Sequence, residues 1–132
     1  MEGPILMQDW LTMLGQGAHP GEATFVCNRD SILWLGDAQG AVLAIDIADV
    51  TAATTAPALQ IETAAGEAGP WSVVESYTSA GSHALFLKRD PTNATTVKPF
   101  LGYIRWSIAE DSGGSGNWSM CFRIVVVVEP AR

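Results

Sequence analysis

Few residues in this 132-residue chain are of types and spacings that perform catalysis or bind metals. The two histidines, His19 and His83, and the two cysteines, Cys27 and Cys121, lie far apart and not at the short spacings of zinc ligands. The sequence contains neither a GxSxG nucleophile motif nor a GxGxxG or GxxxxGK phosphate loop. It therefore predicts a protein with no catalytic residue, no resident metal and no cofactor.

The carboxylates leave two alternatives open. Asp46 and Asp49 lie three residues apart, while Glu110 and Asp111 begin a segment rich in glycine. Such loops in β-sandwich proteins can bind calcium through oxygen ligands, and a pair of carboxylates in a cleft could hydrolyse a glycosidic bond. Because the chain has no Asp-rich calcium-loop motif, the prediction remains no metal site and no enzyme activity.

Composition and charge exclude other classes of function. Charged residues make up only 16% of the chain and hydrophobic residues 48%, so there is enough apolar material for a packed core. The net charge of −7 argues against binding nucleic acid through its phosphates. No apolar run is long enough to span a membrane, and the acidic start of the chain is unlike a signal peptide. We expect a soluble chain made in the cytosol.

From residue 23 onward, hydrophobic residues recur with the period of two that is typical of β-strands. In 118–128, one face is apolar throughout, and the other becomes apolar at Val125 and Val127. We expect this strand to lie inside a sheet, to end buried on both faces, and to form a hairpin with 101–109 across the loop DSGGSGN. Short strands separated by glycine- and proline-rich turns predict an all-β fold, an antiparallel β-sandwich of jelly-roll type with seven or eight strands. We expect one sandwich domain over 23–132.

Residues 1–22 are predicted to form an N-terminal arm. Its apolar residues fit either a two-turn helix or an extended segment, and glycines and a proline end it. Leaving large apolar side chains in water costs about 1.5–3 kcal/mol each, so the arm is expected to cover its own sandwich or a neighbouring subunit. The predicted interface residues are Ile5, Leu6, Trp10, Leu11 and Leu14.

Two arginines and five tryptophans complete the candidates. Arg105 and Arg123 lie on the less apolar faces of their strands and are predicted to form structural ion pairs with Glu75, Glu110 or an acid of another subunit; anion binding is the alternative. Tryptophans are frequent in interfaces and on sugar-binding surfaces, but Trp106 and Trp118 continue apolar faces and are predicted to lie in the core.

The C-terminal third, YIRWSIAEDSGGSGNWSMCFRIVVVV, resembles the closing hairpin of small β-sandwich structural proteins of tailed phages and phage-like particles. The opening GPILMQDW is similar to the short arm of such proteins. This resemblance implies a non-catalytic role in decorating or building a capsid. The expected partners are further copies of the chain or a larger protein shell. The alternative function is a carbohydrate-binding module in which exposed tryptophan or tyrosine stacks on sugar rings.

Overall fold

The computed structural model describes residues 4–15, 24–26, 32–52, 56–89, 97–109 and 118–129, and everything below concerns these residues. They form β-strands joined by turns, with no helix among them, so the predicted all-β class is confirmed. The strands are β1 (Ile5–Gly15), β2 (Thr24–Val26), β3 (Leu33–Trp34), β4 (Gly40–Ala52), β5 (Ala58–Ala64), β6 (Ser72–Tyr77), β7 (Gly81–Lys88), β8 (Lys98–Pro99), β9 (Tyr103–Ala109) and β10 (Trp118–Glu129).

The strands form two packed sheets. The first sheet has the order β1-β10-β4-β7-β8, and the second has the order β2-β9-β5-β6 with β3 also paired to β9. All pairs are antiparallel except β7 with β8. When β3 and β8, of two residues each, are set aside, the eight remaining strands lie in the order 1-8-3-6 in one sheet and 2-7-4-5 in the other. This is the strand order of a jelly roll, as predicted.

The core lies between the sheets, where the period of two places every second side chain. On β4 and β10, Leu43, Ile45, Ile124 and Val126 are fully buried. Trp106 and Trp118 are also buried, as predicted. The Trp106 ring, from the second sheet, meets the Phe122 ring of the first sheet edge to face, with 4.9 Å between centroids. These contacts join the two sheets into one hydrophobic core.

The predicted hairpin between the last two long strands is wrong. β9 belongs to the second sheet and pairs with β5, whereas β10 lies in the first sheet between β1 and β4. The central position of β10 within a sheet is confirmed. β10 is twelve residues long and pairs with β4 along its whole length, whereas β9 has only seven residues and could pair with only part of β10. The longer ladder satisfies more backbone hydrogen-bonding groups.

Of the two alternatives for the N-terminal arm, the helix is wrong and the extended segment is observed, because residues 5–15 form strand β1 at the edge of the first sheet. Two irregularities in the register with β10, at Leu6–Gln8 and at Gln8–Leu11, change which side chains point inward. Met7 is buried and Gln8 half-buried, although they are adjacent. Both faces of β1 carry apolar residues, and their combined spacing resembles a helical stripe in the sequence.

The end of β10 differs from the prediction as well. Val126 is buried, but Val127 on the opposite face is 41% exposed and Val125 is only half-buried. No described element covers this face of the first sheet. The expectation that the strand ends buried on both sides is therefore wrong for the single chain.

Candidate functional site

The outer surface of the first sheet carries a continuous group of apolar side chains, which we call the outer apolar face. The strand register places them in two neighbouring rows that cross four strands. The first row contains Leu6, Val125, Ala44 and Ala84, and the second contains Val127, Val42 and Phe86. The larger side chains are well exposed: Leu6 54%, Phe86 49%, Val127 41% and Val42 37%. A contiguous exposed apolar patch of this kind often marks a site of interaction with another protein.

Ion pairs border the outer apolar face at both ends. At one end, an Arg123 Nη atom donates to an Asp46 carboxylate oxygen at 3.0 Å, and the Ser82 hydroxyl donates to the same carboxylate at 2.9 Å. These hydrogen bonds, the one from Arg123 first, hold the pKa of Asp46 below its usual value. At the other end, Lys88 Nζ lies 2.7 Å from a Glu129 carboxylate oxygen, and both side chains are partly exposed. An apolar centre with a charged rim is the arrangement found in protein–protein interfaces.

Strand β1 divides the predicted interface residues between two faces. Ile5 and Leu11 pack against the hydrophobic core. Leu6, Trp10 and Leu14 are exposed, Leu14 to 72%. Only these three are therefore available to a partner.

Trp10 lies beside the ion pair at the edge of the outer apolar face. Its ring stacks under the Arg123 guanidinium, with 4.9 Å from the carbon of that group to the ring centroid. Cation–π contact and the Asp46 carboxylate together fix the orientation of Arg123. Arg123 thus presents a positive charge at a defined position on the rim.

The outer surface of the second sheet has the opposite character. Arg105 on β9 pairs with Glu62 on β5, with donor–acceptor distances of 3.2 and 3.3 Å, and the two side chains are only 18% and 9% exposed. The Trp71 ring covers the guanidinium at 4.3 Å. Each arginine thus pairs with an acid of a strand hydrogen-bonded to its own, rather than with the predicted Glu75.

A shallow cavity of about 460 Å³ opens at one end of the sandwich. Trp34, 70% exposed, forms one wall beside Asp37 and Leu101. Arg89 also lines it, but its guanidinium donates to the backbone carbonyls of Ala38, Leu101 and Gly36. Because those bonds occupy Arg89 in tying two loops together, Trp34 is the side chain of this cavity best placed to contact a ligand.

The residues considered for chemistry are dispersed. His83 lies against the Tyr77 ring, Cys121 carries a free thiol, and Asp49 is exposed. Within the described part of the chain, no three His, Cys, Asp or Glu side chains are grouped as metal ligands. The remaining candidates, His19, Cys27, Glu110 and Asp111, lie outside the described residues. In the same described ranges, no helix is long and apolar enough to cross a membrane.

Sequence reasoning missed most of the outer apolar face. Val42, Ala44, Ala84 and Phe86 stand at the solvent-facing positions of β4 and β7, where polar residues are the rule for an exposed sheet. The signal was present in these alternating segments, since both of their faces are apolar. The apolar face could be recognised only once the strand register placed these segments beside Val125 and Val127.

Comparison of the chain with protein-family models, with curated proteins and with solved structures found no match.

Proposed function

We propose that this protein is a non-catalytic structural subunit of a virion or a similar protein shell, and that it self-associates through the outer apolar face. The observation that carries this proposal is the exposure of Leu6, Val42, Phe86 and Val127 side by side on one sheet. Contact with another subunit would remove the exposed parts of these apolar side chains from water, and this favours association at this surface.

The architecture is compatible with this role. Jelly rolls occur in viral capsid domains and also in lectins. The fold does not by itself select a function. The apolar face with its rim of ion pairs favours a protein partner over a sugar, since sugars require more hydrogen-bonding groups.

Light scattering coupled to size-exclusion chromatography tests the proposal. We expect the wild-type mass to rise above that of a monomer as the concentration increases, and Phe86→Glu to abolish this rise. The matched control is Val73→Glu, because Val73 is 50% exposed on a strand of the other sheet, close to the 49% of Phe86. A control that loses association equally would contradict the role of the face, and a wild type that stays monomeric at all concentrations would contradict the proposal.

A carbohydrate-binding module is the second candidate, and Trp34 favours it. The indole is exposed beside Asp37 in the open cavity, an arrangement in which a ring can stack on a sugar while a carboxylate accepts its hydroxyl hydrogens. A glycan array followed by titration calorimetry tests this function. Saturable binding by the wild type that is lost in Trp34→Ala but kept in Trp10→Ala would support the module, whereas absence of binding would remove it.

A further inference from the structure

We infer that the outer apolar face binds the same face of a second copy of this chain, around a twofold axis that runs across the strands. This inference rests on the proposed self-association and specifies its geometry. The axis passes over the row formed by Val126, Leu43 and Leu85, whose side chains point away from it into the core. Rotation about this axis places each strand over its own counterpart, with direction reversed.

The two apolar rows are complementary in size under this rotation. Counting outward from the central row along each strand, Ala84 faces Phe86 of the second copy, and Ala44 faces its Val42. On β10, Val125 faces the second copy's Val127. Large side chains thus lie over small ones at two of the three positions, which is the interlocking that close packing between sheets requires.

The charged rims are also complementary. Arg123 and Glu129 lie three residues on either side of Val126, so the rotation brings Arg123 of one copy over Glu129 of the other. Asp46 comes to face the second copy's Gly40, above which Lys88 and Glu129 join. Each ion pair of one copy therefore meets a pair of the other with opposite charges adjacent. Such complementarity fixes the orientation of partners.

The small residue at position 40 makes room for this arrangement. A side-chain carbon added to Gly40 would lie 2.5 Å from the Leu87 carbonyl oxygen and 3.1 Å from a Glu129 carboxylate oxygen. The Lys88–Glu129 pair can therefore close over the strand, and the second copy's Asp46 meets this pair above Gly40.

A twofold axis parallel to the strands fits less well. An axis between β10 and β4 would also bring Arg123 to the second copy's Asp46, but it would place Glu129 over Gly40. The Lys88–Glu129 pairs of the two copies would then face each other, and Phe86 would face the sheet edge at β1 instead of Ala84. The axis across the strands uses both ion pairs and both apolar rows.

The size of the face sets the expected strength of the dimer. Four strands and seven residues along each cover roughly 19 by 24 Å, or on the order of 450 Å². Each partner of a standard stable interface contributes about 800 Å². We therefore expect a weak dimer with a dissociation constant in the micromolar range or above, measurable by sedimentation at high protein concentration.

Two charge-reversal variants test the geometry. In Arg123→Glu, the new glutamate lies over Glu129 of the other copy, and this repulsive contact occurs twice per dimer. In Glu129→Arg, the new arginine lies over Arg123 of the other copy in the same way. Each variant alone should therefore associate at least about tenfold more weakly than wild type. When the two are mixed, both contacts become attractive, and a heterodimer with near wild-type affinity should form. Mixing cannot change contacts within a chain, so recovery would report only contacts between chains.

Controls separate this inference from the proposed function. Lys98→Glu and Asp37→Arg make similar charge changes away from the face and should leave association unchanged. Circular dichroism of each variant verifies its fold. If Phe86→Glu abolishes the dimer but the mixture shows no recovery, the twofold arrangement is overturned while the proposed function stands. If the wild type is monomeric throughout, both are overturned.

Discussion

The outer surfaces of the two sheets invert the usual relation between polarity and exposure. On the second sheet, the Glu62–Arg105 ion pair is nearly buried, under the Trp71 ring. On the first sheet, Phe86 and Val127 face solvent. The polar surface is thus completed within the chain, whereas the apolar surface is left open. This difference is the main support for proposing association through the first sheet and not through the second.

The largest expected effect comes from disrupting the Glu62–Arg105 ion pair on the second sheet. In Glu62→Gln, the Arg105 guanidinium remains under Trp71 without its counter-charge, so we expect the free energy of unfolding to fall by about 3 kcal/mol. Urea denaturation measures this change. The matched control is Lys88→Ala, which removes one partner of an exposed pair and should cost less than about 1 kcal/mol. Equal effects of the two substitutions would show that the covering of Glu62 and Arg105 has no energetic consequence.

A second prediction concerns the inner side of the first sheet. Gln8, brought inward by the bulges of β1, accepts a hydrogen bond of 3.1 Å from the Trp106 indole nitrogen. Gln8→Leu leaves this buried donor without its partner, and we expect a loss of about 2 kcal/mol in unfolding free energy. Gln39→Leu, at an exposed position, is the control and should change stability by no more than about 0.5 kcal/mol. A neutral Gln8→Leu would mean that Trp106 finds another acceptor.

The sequence predicts the core well because the core depends on local alternation. Every second side chain of 43–47 and of 118–126 points inward as the period requires, and the jelly-roll class is consistent with many short strands. β1 could not be told from a helix because both of its faces carry apolar residues and two bulges interrupt its register, and a bulge leaves no reliable mark in a single sequence. The pairing of β10 was misread because the choice between partners depends on ladders formed with strands far away in the chain.

The candidate site was predictable only in part. Leu6, Trp10 and Leu14 drew attention because an apolar arm is conspicuous. Phe86 and Val42 did not, because an apolar residue on an alternating strand is equally consistent with a strand buried on both faces. Which face is covered depends on the stacking of the sheets, so the outer apolar face could be recognised only in three dimensions.

A third prediction concerns the place where the two sheets meet along one edge. The Tyr77 ring lies 4.7 Å from the His83 ring, and burial, with the nearby Glu75 charge, raises the pKa of Tyr77 to about 12. In the unfolded chain the tyrosine hydroxyl ionises near pH 10, so folding favours the neutral form of Tyr77. The contribution of this group to the free energy of unfolding is fully present below about pH 10 and is lost as the pH rises towards 12. Urea denaturation at several alkaline pH values should show declining stability, and Tyr77→Phe should decline less. Parallel curves would contradict a buried phenol.

The smallest effect on the single chain should come from the outer apolar face itself. Val42→Thr keeps a β-branched shape at a position 37% exposed, so at low protein concentration its unfolding free energy should stay within about 0.5 kcal/mol of wild type. Association changes this at high concentration, because a partner that binds only the folded state raises the unfolding temperature. The wild-type unfolding temperature should therefore increase with protein concentration, and the increase should be smaller in Val42→Thr. A wild-type unfolding temperature that is independent of protein concentration would mean that the monomer tolerates the exposure of both apolar rows. The difference between the two sheets would then have no bearing on association.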